Sequence, residues 1–122
     1  MNSHDKRFVI HEHSTDEGSH WDLMLETENT LQTFRLDTSP RQIFHKPAHA
    51  EKIQDHPLKF LKYQGPVQNG KASVQIVDSG TYTALHRTSE KIEIHLQGQT
   101  LNGKFSLNRI QSVKWLFNQA KK

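Results

Sequence analysis

The sequence predicts a small, mainly β protein: an antiparallel β-barrel with short helical turns on its outside. Three observations predict it. The chain has 122 residues, the size of one domain. Hydrophobic residues make up 33% and charged residues 24%, so the core is thin, and one sheet curled on itself fits better than stacked layers. Short apolar runs alternate with turn signals at Gly65-Pro66, Asn69-Gly70, Ser79-Gly80, Gln97-Gly98 and Asn102-Gly103, the pattern of a barrel or sandwich.

Residues 1–7 are polar and read as a flexible N-terminus. The barrel domain is expected over 8–118, with a short solvated tail at 119–122. Phe8-Val9-Ile10 is an apolar strand leading to His11 and His13, with His11 and Glu12 expected to face solvent. A loop is expected at 14–19, carrying Asp16, Glu17 and Gly18. Residues 20–26 and 31–37 both alternate, and the link Thr27-Glu28-Asn29-Thr30 is short and polar, so they form a hairpin. Pairing Glu26 with Leu31 sets Leu23 opposite Phe34 and Trp21 opposite Leu36, which gathers the apolar residues on one face. The same register sets Asp22 opposite Arg35 and Met24 opposite Thr33. Residues 38–57 hold Pro40, Pro47 and Pro57 and read as irregular, with a helical turn around Ala48–Ile53. Further strands are expected at about 58–64, 72–78, 81–87, 91–97, 101–109 and 112–118.

There is no cysteine, which removes disulfides and thiolate metal sites and indicates a reducing compartment. Residues 1–20 lack the apolar run of a secretory signal, and no stretch approaches a membrane span. A soluble, cytoplasmic protein is expected. The net charge of +3 permits a nucleic-acid partner without requiring one. No G-x-S-x-G, P-loop or G-x-G-x-x-G motif occurs, so serine hydrolase, nucleotide triphosphatase and dinucleotide chemistry lack support.

The chemistry-bearing set is His13 with His20-Trp21-Asp22. On a strand, His20 and Asp22 project to the same side, and His13 ends the neighbouring strand. Two imidazoles and a carboxylate can converge on one divalent cation and leave positions open for water and substrate. Nitrogen and oxygen donors suit manganese, zinc or iron without choosing among them. The same pair also reads as an ordinary hydrogen-bonded pair on a strand. His56, before Pro57, is biased towards an extended backbone and could serve a phosphoryl or leaving oxygen. It also reads as a turn histidine. Arg35 could clamp a phosphate beside the cation, or simply pair with Asp22 across the hairpin.

These segments, taken in order, resemble the 3'-phosphoesterase domain family of bacterial DNA ligase D. Phe8-Val9-Ile10-His11-Glu12-His13 is similar to its F-V-V-Q-K-H. His20-Trp21-Asp22-Leu23-Met24-Leu25-Glu26 is similar to H-Y-D-F-R-L-E. Asp55-His56-Pro57-Leu58 matches D-H-P-L, and Asp78-Ser79-Gly80-Thr81-Tyr82 resembles D-x-G-T-W. Leu101 to Arg109 resembles L-x-G-x-W-x-L-x-R, and Trp115-Leu116-Phe117 the closing W-L-L. The order holds over residues 8–117. The resemblance implies a barrel with the site on its inner, polar face. It implies a manganese-dependent enzyme that removes a 3'-ribonucleoside and then a 3'-phosphate from nucleic-acid ends. It carries metal ligation to His13, His20 and Asp22 and phosphate contact to His56. A separately encoded ligase or repair polymerase is the implied partner, and no membrane is involved.

This chain departs from the family pattern at several points. The loop after His13 is one residue longer. Met24 stands where the pattern has a phosphate-binding arginine, and Phe60 where it has a tyrosine. The P-K-G lysine has no counterpart near Asp37-Thr38, and residues 1–7 hold little of the charged N-terminal arm. Arg35 is therefore expected to supply the missing guanidinium. Three alternatives stay open: a binding module for 3'-phosphorylated ends that has lost turnover, a metal-dependent hydrolase of a small phosphoester, and a barrel with no site, in which the histidines are incidental.

Overall fold

The structure is a computed structural model that describes residues 6–120. Residues 1–5 and 121–122, most of the expected flexible terminus and half of the expected tail, lie outside the described residues, whereas Lys6 and Arg7 already belong to the first strand and Gln119 to the last. Nine strands form one antiparallel sheet: β1 (Lys6–Thr15), β2 (Gly18–Glu26), β3 (Leu31–Leu36), β4 (Ala48–His56), β5 (Gly65–Val67), β6 (Ala72–Arg87), β7 (Lys91–Gly98), β8 (Asn102–Gln111) and β9 (Lys114–Gln119). Their order is β1-β2-β3-β4-β9-β8-β7-β6, and β6 pairs back onto β1. Eight strands thus close into a barrel, which leaves them no open edge, and β5 adds to one flank of β6. Three 3-10 turns, at Pro40–Phe44, Leu58–Leu61 and Gln68–Gly70, complete the regular structure of the described residues. Among those residues no helix is long and apolar enough to cross a membrane.

The β2–β3 hairpin has the predicted register throughout, from Trp21↔Leu36 to Glu26↔Leu31, including Asp22↔Arg35. Period-2 alternation then divides each strand between two environments. Phe8, Ile10, Leu23, Leu25, Phe34 and Phe117 fill the barrel interior, all 1% exposed or less. The alternate residues Val9, Met24 and Leu31 form a second, outer cluster, capped by Leu58, Phe60 and Leu61 of the 3-10 turn and by Ile76. A bulge serves this division. Ile10 pairs with Asp78 but His11 pairs with Ile76, so Val77 is an extra residue on β6.

Four sequence expectations are corrected. The segment expected as a helical turn at Ala48–Ile53 is the strand β4, paired with both β3 and β9. The strand expected at 58–64 is the 3-10 turn Leu58–Leu61. Ser79-Gly80 is no turn: β6 runs through it unbroken, and the two strands expected at 72–78 and 81–87 are one. The loop expected at 14–19 is a tight hairpin in which Ser14 pairs with Ser19 and Thr15 with Gly18.

Gly80 and Gly98 face each other across β6 and β7. A Cβ on Gly80 would stand 2.0 Å from the Gln97 carbonyl oxygen, and one on Gly98 2.6 Å from Phe8 Cζ. Glycine serves close backbone approach here rather than a turn. Beside them Asp78, 4% exposed, accepts four backbone N–H groups. Ser79 (3.0 Å), Gln99 (2.8 Å) and Thr100 (3.1 Å) donate to Oδ1, and Leu101 (2.8 Å) to Oδ2. One carboxylate thereby fixes the β7–β8 turn against β6.

Candidate active site

The site forms on the outer face of β1, β2 and β3. The apolar interior lies on the opposite face, so the expectation of a site on the barrel's inner side is corrected. The interior is filled by close-packed hydrocarbon, which leaves no polar surface there.

The tight β1–β2 hairpin sets His13 directly opposite His20 and His11 directly opposite Asp22. Pairing continues to Thr15 and Gly18, so the hairpin closes through a two-residue turn at Asp16-Glu17. The four side chains make a cross-strand patch, and Arg35 on β3 flanks it opposite Asp22. The His13 and His20 rings stack 4.4 Å apart at 15°. His20 Nε2 lies 3.6 Å from Asp22 Oδ1, and Arg35 Nε lies 3.5 Å from the same oxygen. Both are long for a hydrogen bond, so Asp22, although 3% exposed, is weakly satisfied by its protein neighbours.

Three buried side-chain nitrogens in the described residues have no hydrogen-bond partner: His11 Nε2, His13 Nδ1 and His20 Nε2. All three belong to this patch. An unpartnered buried polar atom costs roughly 1–3 kcal/mol, so three together beside a carboxylate are not a feature of packing alone. Burial, opposed by the Asp22 charge, lowers the His20 pKa, with Arg35 and His13 lowering it further. Burial also lowers that of His11, against Asp22 and a backbone hydrogen bond at Phe60. Both shifts favour the neutral ring. Neutral imidazole nitrogens with a carboxylate are a donor set for a divalent cation. Among the described residues no group of three or more such side chains is placed to hold a metal ion, and the His13 and His20 rings are stacked on each other.

His56 closes the site from β4. The Thr33 hydroxyl donates its one hydrogen to the Leu31 carbonyl (3.0 Å), so its oxygen accepts from His56 Nδ1–H (3.0 Å). Nε2 is then the His56 nitrogen that gives or takes a proton. The Thr30 hydroxyl anchors the His56 carbonyl at 2.9 Å. Phe60 stands edge-on to both His11 (6.1 Å) and His56 (5.8 Å). A cavity of about 270 Å³ is lined by His11, His13, Asp22, Met24, His56 and Phe60. His20 and Arg35 instead line an adjoining open groove of about 930 Å³ that runs to Val113, Lys114 and Trp115.

A family profile described as the DNA Ligase D 3'-phosphoesterase domain matches residues 11–109. The chain belongs to this family. Two relatives named multifunctional non-homologous end joining protein LigD are similar to it. The one from Mycolicibacterium smegmatis is 26% identical over 94% of this chain, and the one from Pseudomonas aeruginosa 25% identical over 94%. The chain spans only 17% and 15% of those proteins.

Within this DNA ligase D phosphoesterase barrel, the five residues singled out from the sequence stand together. His13, His20, Asp22 and Arg35 are contiguous, and His56 faces the first and third across the cavity. The expectation that His11 faces solvent is corrected: it is 2% exposed and lines the cavity. Its spacing of two from His13 was the available signal, since both then share a face. The cover over that face comes from Leu58–Leu61, some fifty residues later. Glu12, on the other side of the strand, is half-buried. Met24 is 1% exposed in the outer apolar cluster and forms one wall of the cavity.

Proposed function

We propose that this chain is a cytoplasmic, divalent-metal-dependent 3'-phosphoesterase that cleans nucleic-acid ends in DNA repair. It would remove a terminal ribonucleoside to leave a 3'-phosphate, then remove that phosphate to leave a 3'-hydroxyl for a separately encoded ligase or repair polymerase. The observation that carries this reading is the patch of unpartnered imidazole nitrogens around Asp22, in a chain of this family. A divalent cation, most simply Mn²⁺, held by His13, His20 and Asp22 would supply Lewis acidity to the phosphoryl group. His56, steadied through Nδ1 by Thr33, would present Nε2 to a phosphoryl or leaving oxygen. Arg35, 41% exposed at the head of the groove, neutralises charge on the phosphoryl oxygens in place of the arginine that Met24 replaces. Met24, Phe60, Val67 and Val74 make part of the cavity wall apolar, which strengthens these contacts by excluding water. The groove leading away from His20 has room for the nucleotides preceding the end, which favours a polymer over a small phosphoester.

A primer–template ending in one ribonucleotide, incubated with Mn²⁺, tests the reading. The account predicts a 3'-phosphate product followed by a 3'-hydroxyl product, both lost in His20→Ala. Tight binding of the end with neither product supports a binding module that has lost turnover, for which the buried Met24 is the specific observation.

Two side-chain roles have their own tests. Arg35→Ala is expected to lower kcat/KM by roughly 10²–10³-fold, the loss typical of one transition-state charge contact. Unchanged end binding and turnover would remove Arg35 from the mechanism. Thr33→Val leaves His56 Nδ1–H without its acceptor and is expected to lower kcat about ten- to a hundredfold with Mn²⁺ affinity unchanged. A kcat equal to that of the native chain would show that His56 works without this anchor.

A further inference from the structure

We propose that His11 is an additional protein ligand of the cation, so that the site is built from three imidazoles and one carboxylate: His11, His13, His20 and Asp22. This rests on the metal-dependent reading above and adds a residue to it.

The placement is direct. His11 and Asp22 are cross-strand partners, and His13, two residues on, projects to the same outer face. His11 lines the same cavity as His13 and Asp22. It is 2% exposed, yet Nε2 has no hydrogen-bond partner. Its cavity neighbours include the apolar Met24, Val74 and Phe60, the last with its ring edge-on at 6.1 Å, and none of the polar ones, His13, Asp22, His56 and Gln68, bonds that nitrogen. A buried imidazole with an unpartnered nitrogen, lining a cavity that also holds a carboxylate and a second imidazole, has the chemistry of a ligating histidine. The F-V-V-Q-K-H pattern has glutamine at the position of His11, so this chain carries one more imidazole than the pattern it resembles.

The test counts ligands without reference to activity. The full chain is loaded with Co²⁺, and the solvent-exchangeable, hyperfine-shifted imidazole N–H resonances are counted by proton NMR. The expected count is three for the native chain, two for His11→Gln, and three for His95→Ala, a control on β7 away from the site. In parallel, titration of Mn²⁺ followed by electron paramagnetic resonance is expected to show affinity about 10–100-fold weaker in His11→Gln. Two shifted resonances in the native chain would overturn the proposal while leaving the metal site standing, as would an unchanged count and affinity in His11→Gln. A native chain that binds neither cation would overturn the metal-dependent reading itself, and this proposal with it. The native count alone decides the matter if His11→Gln folds poorly.

Discussion

Asp78→Ala is expected to cost the barrel at least roughly 3–5 kcal/mol, a large share of the ~5–15 kcal/mol that holds a domain of this kind folded. The reason is local. Four backbone N–H groups, of Ser79, Gln99, Thr100 and Leu101, lose their only side-chain acceptor at once. Hydrogen bonds to a charged group contribute about 1.5–3 kcal/mol each, and buried donors left without partners carry the full desolvation cost. No neighbouring side chain can move in, because Gly98 and the Phe8 ring already crowd the space. Denaturant or thermal unfolding measures the effect. A variant with native stability would mean that water replaces the carboxylate and that the β7–β8 turn holds without it.

Asp22→Asn is expected to lower turnover by about 10³-fold or more while the barrel stays folded. The substitution keeps the shape of the side chain but removes the one negative charge in a patch of three histidines and an arginine. Several kcal/mol of phosphoryl charge stabilisation are lost with the cation, and each 1.36 kcal/mol is a tenfold change in rate. Mn²⁺ affinity falls in parallel. Stability changes little or rises, since Asp22 has only long contacts, at 3.5 and 3.6 Å, to lose. Steady-state kinetics, Mn²⁺ titration and a melting curve on one preparation read all three. Native turnover in this variant would take the carboxylate out of the chemistry.

The hairpin register was legible because Leu23, Leu25, Phe34 and Leu36 alternate with polar residues, and a slip of one position would bury Asp22 and Arg35 in the interior. The ligand candidates followed from the same alternation. β4 was not legible, because its inward residues include Ala48 and Ala50, whose small side chains give little periodic signal although both are buried. The turn at Leu58–Leu61 looked like a strand since Leu58 and Phe60 alternate with lysines, and only its docking on Val9, Met24 and Leu31 selects the tighter form. Gly80 misled for a physical reason: glycine marks both turns and close backbone approach, and here the Gln97 carbonyl decides for the second. His11 was misplaced because burial on an outer face depends on a distant segment folding over it. The resemblance named the candidate residues but put them on the wrong side of the sheet, which only the packing of the interior could correct.

The most direct test of the central claim is release of inorganic phosphate from a primer–template bearing a 3'-phosphate, measured for the native chain with Mn²⁺ and again after chelation. The account predicts release that requires the cation, returns when it is restored, and is absent from His20→Ala under both conditions. Release that is indifferent to chelation, or a native chain that binds Mn²⁺ and the phosphorylated end yet liberates no phosphate, would contradict it.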